Sequence, residues 1–391
     1  MNKMLTNSIK LTLGLVLGGT LSTSTMAQSG ALETRYPELA KLHNAFDVTQ
    51  AAAFDAIAEI NANPATMQAR MDLRMELDMV KDMDMHEMMS QGMGHGDGMD
   101  MGMDMLGPYG ELEVEARVRL NSIVRGEHSA EDAAGAYLNA KALPRHAAMV
   151  LTHGRRFENA IWDIFADPST SMTAKRAAVD VAVAAYKADD PRHSVSLTSK
   201  SADLYLNHEY ANGLKSAFPR ISGMLWANQW LQLASLEAII LGQVDSQFAG
   251  EVPTTLERYW NKLGSDAGMT MFPPPTEMPS APAIAPQLYS QSPQAAVIID
   301  NLNMLEAAIA DIIAYPNLAE EQREEDIQWV VLQFTDDESA NVDTMNYLLS
   351  ALRGGIFNQG GPAIGELGQS ERNRSREAMG MQHSMIMSAP N

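Results

Sequence analysis

At 391 residues the chain is long enough for one large domain or two smaller ones, and its 46% apolar and 20% charged residues are an ordinary globular balance. A net charge of −21 with no basic stripe excludes nucleic acid as a partner. Methionine occurs 28 times and cysteine not at all, so the fold has no disulfide staple, and any soft-metal site must be built from Met and His rather than thiolate.

The N-terminus has the form of a secretory leader. Lys3 and Lys10 give a positive start, residues 11–21 form a short apolar run softened by Gly14, Gly18 and Gly19, and Thr25-Met26-Ala27 offers a small-x-small cleavage site. Residues 1–27 are therefore expected to be removed, leaving a periplasmic protein that starts near Gln28. The two lysines lost with the leader take the net charge from −21 to −23. No cysteine follows for lipid attachment. The apolar run is too short to span a bilayer, and the most apolar later stretch, residues 221–241, is interrupted by Asn228, Gln229, Gln232 and Glu237, so no membrane span is expected.

Helix signals dominate from there on. Leu39, Leu42, Phe46, Phe54, Ile57 and Ile60 recur at three- and four-residue steps with one longer gap, which predicts a helix over 33–61. Asn63-Pro64 closes it and opens a second helix running to about Ser90. A glycine-rich tract occupies 92–110. Further helices are predicted over 111–124, after a Ser129 cap supported by Asp132, from Pro144 to about Phe165, and from a Ser169 or Thr170 cap through Tyr186. A weaker one follows over 203–214, then helices over 219–241 and over 254–263, the last stopped by Gly264.

Seven prolines between 265 and 293 predict a non-helical strap over the surface. Val297, Ile298, Leu302, Leu305, Ile309, Ile312 and Ile313 then mark an apolar stripe, and helices over 320–334 and 339–352 complete a terminal unit. From 354 onward the Gly, Gln, Ser and Arg content predicts a disordered tail. The expected architecture is an all-α, multi-helix bundle: a helical domain over 28–264 with a Met-rich insert at 67–107, a Pro-rich linker over 265–293, a helical end unit over 294–353, and a tail over 354–391.

The chemistry is concentrated in the methionines. Residues 67–105 hold thirteen of them. Met67, Met71, Met75, Met79 and Met83 are spaced by four; Met99, Met101, Met103 and Met105 are spaced by two; Met85, Met88, Met89 and Met93 lie between, with His86 and His95. On a helical wheel the four-spaced row drifts from about 0° to about 160°, whereas Leu73, Leu77 and Val80 fall at roughly 220–280°. The methionines therefore share a face with Asp72, Glu76, Asp78 and Asp82, not with the branched apolar residues. Thioether sulfur is a soft neutral ligand suited to Cu(I), and residues four apart on a helix lie close enough for two sulfurs to reach one ion. The imidazoles of His86 and His95 would also accept Cu(II). The same pattern returns in Met379, Met381, His383, Met385 and Met387, with a shorter Met269, Met271 pair before the prolines.

The tract over 83–105 resembles the Met/His/Asp/Gly-rich segments of bacterial periplasmic copper-resistance and copper-oxidase proteins. In those families such segments are proposed to gather copper. The resemblance is compositional and covers about forty residues and the tail. The ligand motifs of a multicopper oxidase are absent, so oxidase chemistry is not implied.

Other readings remain open. Asp82, Asp84 and His86 begin like a calcium loop, but Glu87 replaces the turn glycine and Met93 the closing glutamate. The methionines would also suit a scaffold that recognises another envelope protein through an adaptable surface, or simple packing. His146 and His153, seven apart, would line an enzyme-like bundle site with Glu158 or with His208 and Glu209. No motif specifies a reaction. The expectation is a copper-binding protein for sequestration, delivery or tolerance, with the helical scaffold and the bundle enzyme as alternatives.

Overall fold

Two helices in this fold have no polar face, and the others are arranged to bury them. The computed structural model describes residues 30–82, 107–264 and 277–353. In chain order these form α1 Ala31–Arg35, α2 Pro37–Ala62, α3 Met67–Asp82, α4 Glu111–Val124, α5 Ala130–Asn139, α6 Arg145–Ala166, α7 Met172–Asp189 and α8 Asp203–Leu206. They continue as α9 Gly213–Ala217, α10 Pro219–Val244, α11 Glu251–Leu263, α12 Ala281–Ile284, α13 Pro286–Gln291, α14 Pro293–Ala314, α15 Glu320–Thr335 and α16 Thr344–Ala351. Among the described residues no strand forms; one antiparallel bridge joins Lys200 to Asn341. The chain is all-α, as its periodicity predicts. No helix among the described residues is long and apolar enough to cross a membrane.

The two central helices are α10 and α14. Nearly every residue of α10 from Met224 to Leu241, and of α14 from Ala295 to Ala314, is buried. A helix buried all round loses the one-sided pattern of a surface helix, because every face meets protein. Around them pack α2, α4, α6, α9, α11, α12, α13 and α15, with α5 against α2 and α6 and α7 against α6. Gly154 of α6 lets α14 approach: a β-carbon there would lie 2.4 Å from Leu302.

Several helix starts agree with the residues. The Ser129 and Asp132 side chains form the expected reciprocal capping box on α5. Asn63 accepts from the Ala65 N–H, and Pro64 opens a short 3₁₀ turn that leads into α3. Others differ. The cap of α7 is Ser171, whose hydroxyl accepts from the Ala174 N–H, while Ser169 and Thr170 donate to the Asp167 carboxylate. The weak helix over 203–214 is two short ones, α8 and α9, and the last helix starts at Thr344 behind an Asp343 cap.

The proline strap is corrected in its described part. Pro282 and Pro286 sit in the first turns of α12 and α13, where a missing N–H costs nothing, and Ala281, Ala283, Ile284, Ala285 and Leu288 are buried. One continuous apolar core includes residues of α2, α6, α10, α12, α13, α14 and α15, so the 264/294 boundary does not separate two cores. The leader, residues 83–106, the Met269, Met271 pair and the tail lie outside the described residues.

Five helices begin without a capping side chain of their own and are capped by a carboxylate from elsewhere in the chain. Asp163 accepts from the Leu32 N–H of α1 at 3.1 Å. Glu113 takes both Arg220 and Ile221 of α10, at 2.6 and 3.1 Å. Asp311 takes Leu214 of α9 at 2.8 Å, and Asp300 takes Ala281 of α12 at 2.9 and 3.0 Å. Glu237 takes Gln287 and Leu288 of α13, at 2.9 and 3.3 Å. Each carboxylate satisfies N–H groups that the helix itself leaves open, and meets the positive end of the helix dipole.

Burial nevertheless dominates their ionisation. It pushes Glu113 up to about 7, Glu237 to about 8 and Asp300 to about 7, from ordinary values of 4.5, 4.5 and 3.8. Between the ordinary and the raised values the fold holds protons that the unfolded chain has released, so these groups lower stability as pH rises through that window. His43, pushed down to about 3 by burial, acts in the opposite sense below its ordinary 6.5, where the unfolded chain binds a proton and the fold does not. Between pH 6.5 and about 8 only the carboxyl effect remains. The urea midpoint is expected to fall across that interval, and Glu237→Gln, which keeps an acceptor oxygen for α13, is expected to reduce the slope. A midpoint that rises with pH there would contradict this account.

Candidate functional site

On α3 the branched apolar residues face inward and the methionines face out. Leu73 is buried, Leu77 and Ala69 pack against the core, and Met67, Met71, Met75 and Met79 are 56, 51, 59 and 61% exposed. The helix is held by its other side chains. Arg74 bonds Asp78, at 2.9 Å to Oδ2, and stacks over Tyr315 at 4.9 Å; the Tyr315 hydroxyl donates to Asp78 at 3.2 Å. The Arg70 guanidinium donates to Asn317 at 3.0 Å. Asp78 is thus committed to anchoring, although the wheel placed it among the methionines. Asp72, which accepts from Gln68 at 2.8 Å, and Glu76 stay on the exposed side.

Successive methionines on this face are one helical turn apart, within reach of a shared ion for such flexible side chains. The expected ligands Met71, Met75 and Met79 therefore stand on one solvent-facing row. Met83, Met85, His86, Met88, Met89, Met93, His95, Met99, Met101, Met103, Met105, Met379, Met381, His383, Met385 and Met387 lie outside the described residues.

The histidines read as a bundle site are not brought together. The His146 ring meets the Arg192 carbonyl at 3.2 Å, His153 stacks on Tyr186 and meets its carbonyl at 2.9 Å, and His208 meets Asp311 at 3.3 Å. Each has its own local partner. Among the described residues no three or more His, Asp or Glu side chains are arranged to hold a metal ion.

Glu158 belongs instead to a cluster that the sequence reading missed. Arg155, buried on α6, contacts three carboxylates: Asp47 of α2 at 3.0 Å, Glu158 one turn along its own helix, and Glu306 of α14 at 2.8 Å. The Tyr137 hydroxyl of α5 donates to the same Glu306 oxygen at 2.7 Å, and Gln229 of α10 donates to the other at 3.4 Å. Four helices thus meet on one guanidinium, whose planar fork offers donors in several directions, and α10 joins them through Glu306.

Charge in this cluster is not balanced: three carboxyls surround one cation. Burial, offset in part by Arg155 and reinforced by its carboxylate neighbours, pushes Asp47 up to about 8, and Glu158 is raised as well. Asp47 is therefore largely protonated at neutral pH, which relieves the repulsion. The ring of His43 packs edge-on to Trp162 at 3.8 Å and stays neutral. The Glu158 Oε1 and His43 Nε2 atoms have no hydrogen-bond partner among the described residues. A signal was present in the sequence: Asp300, Glu306 and Asp311 interrupt the stripe over 297–313, where a charge is retained only if it is paired.

Comparison of the chain with protein-family models, with curated proteins and with solved structures gave no match.

The Arg155 cluster sets a stability test. Arg155→Met would leave the buried carboxyls without their common cation, a change expected to lower stability by about 3–5 kcal/mol. Urea denaturation measures it. Acid should narrow the gap between variant and parent, because protonated carboxyls no longer need the guanidinium.

Proposed function

We propose that this chain is a periplasmic protein that binds soft monovalent copper through methionine-rich segments, for sequestration, delivery or tolerance. The observation that supports it is the outward face of α3. Four thioethers at one-turn spacing stand in solvent while Leu73 and Leu77 supply the packing. Core filling, the ordinary use of Met, does not account for residues that are more than half exposed. A row of apolar side chains held in water is retained at a cost, and a ligand or partner that covers it supplies the reason.

Thioethers discriminate by softness. They hold Cu(I) without thiolate and compete poorly for hard cations that water and carboxylates hold well. Asp72 and Glu76 beside them offset the ion's charge. Each site on the helix row would be open and exchangeable, which suits capture and hand-over better than long-term storage. The flanking methionines and histidines over 83–105 and 379–387 would extend the capacity by the same chemistry.

Cu(I) titration against a coloured chelator, under reducing conditions, tests the reading. The full chain is expected to bind several Cu(I). Met71→Leu, Met75→Leu and Met79→Leu together should reduce uptake while each shifts stability by less than about 0.5 kcal/mol, since the side chains are on the surface. Deleting residues 83–105 should remove most of the remaining capacity. Unchanged stoichiometry in both variants would refute copper binding by these segments. Loss of a protein partner's binding upon deletion of 83–105, but not upon the Met→Leu changes, would support the scaffold reading instead.

A further inference from the structure

The Arg155 cluster is not sealed on the α14 side. A cavity of about 90 Å³ reaches Glu306, Gln229 and Gln50 from a rim at Asn212 and Lys215. Its floor is deeply buried: Glu306 is 1%, Gln50 4% and Gln229 7% exposed. Asn212, at the rim, is exposed.

The floor is rich in unused acceptors. The Oε1 atom of Glu306 takes Tyr137 and Arg155, but Oε2 has only the long 3.4 Å bond from Gln229. That bond uses the Gln229 amide nitrogen and leaves its oxygen open. The Gln50 side-chain amide has no hydrogen-bond partner among the described residues, although it is buried and lines the cavity. Buried amides are normally satisfied, and one that faces a cavity unsatisfied marks where a polar guest belongs. Arg155 holds the far side of the Glu306 carboxylate, and Lys215 stands on the rim.

The walls are aromatic and aliphatic: Tyr205 and Trp226 with Leu206, Leu225 and Ala310. Both aromatic side chains are held. The Trp226 indole donates to the Glu277 carbonyl at 2.9 Å, and the Met278 N–H donates to the Tyr205 hydroxyl at 3.4 Å. The rim is fixed too. Asn212 adopts a left-handed φ of 67°, and a β-carbon on Gly213 would meet the Asp311 carbonyl oxygen at 2.7 Å, so only glycine brings this loop so close to α14.

We propose that this cavity binds a small primary alkylammonium. An ammonium has three donors and no acceptor, which matches the oxygens of Glu306, Gln229 and Gln50. A short alkyl stem matches the aliphatic wall, and the aromatic rings favour a cation over a neutral guest. The size agrees: a cavity of roughly 150 Å³ holds benzene, so this smaller one suits a guest of propylammonium size. A carboxylate guest would meet the Glu306 carboxylate and lacks donors for it, and an alcohol supplies only one donor. The site is separate from the methionine face and uses hard oxygen acceptors, so neither proposal depends on the other.

Calorimetric titration of the full chain with propylammonium, propanol and propionate tests the assignment. Saturable binding is expected for propylammonium alone. Gln50→Leu, which removes no bond within the protein, should weaken it by about tenfold or more, the worth of a hydrogen bond to a charged group, with the urea midpoint little changed. Glu306→Gln should abolish binding, and its effect is interpreted only beside Gln50→Leu because it also disturbs the arginine cluster. Equal binding of propanol, no saturable binding of propylammonium, or unaltered affinity in Gln50→Leu would each overturn the proposal.

Discussion

The interior of this protein is governed by one requirement: carboxylates carried on fully buried helices must find donors. Glu237 lies within α10 and Asp300, Glu306 and Asp311 within α14, where the surrounding helices bury them. Three of the four are answered by open N–H groups at the starts of α9, α12 and α13, and the fourth by Arg155 and Tyr137. The same bonds stabilise helices too short to persist alone, since a helix of four to six residues has little more than its nucleating turn. Core and connections are thus mutually dependent. The central helices need the short helices as donors, and the short helices need the central ones as caps.

That dependence explains how so proline-rich a stretch becomes interior. A proline in the first helical turn removes an N–H that would have gone unpaired, and the neighbouring N–H groups, of Ala281 before Pro282 and of Gln287 after Pro286, point into the core at Asp300 and Glu237. The chain between 277 and 293 is consequently part of the packing around α10 and α14, with Leu288 and Ile284 fully enclosed. It joins the sequence-distant parts of the core rather than separating two units.

The two candidate sites use opposite chemistry because they occupy opposite environments. On α3 the sulfurs project into water from a helix that is anchored along its other side by Leu73, Arg70 and Arg74. The thioethers there are soft and uncharged. Beneath α14 the oxygens of Glu306, Gln229 and Gln50 are hard and held within the core. On the two proposals, the floor would select by charge and donor number, whereas the methionine row would select by polarisability. The separation would let the two proposed sites operate in one acidic chain without competing for the same cation.

Much of the architecture was legible in the residues. The wheel positions of Leu73 against Met71, Met75 and Met79 determine which way α3 turns, because only one arrangement buries the branched side chains. The Ser129 box, the Asn63-Pro64 break and the stop at Gly264 place helix ends through local backbone chemistry. The soft character of the methionine row also follows from residue type and spacing alone. The tertiary structure decided what depends on distant partners. Asp47, Tyr137, Arg155 and Glu306 are far apart in sequence, and nothing local marks them as one cluster. The histidines looked alike on paper, yet His146, His153 and His208 each find a separate partner. The proline segment was misread for the same reason: whether a one-turn helix forms depends on a carboxylate from another helix, and periodicity within a segment carries no information about what will cap it.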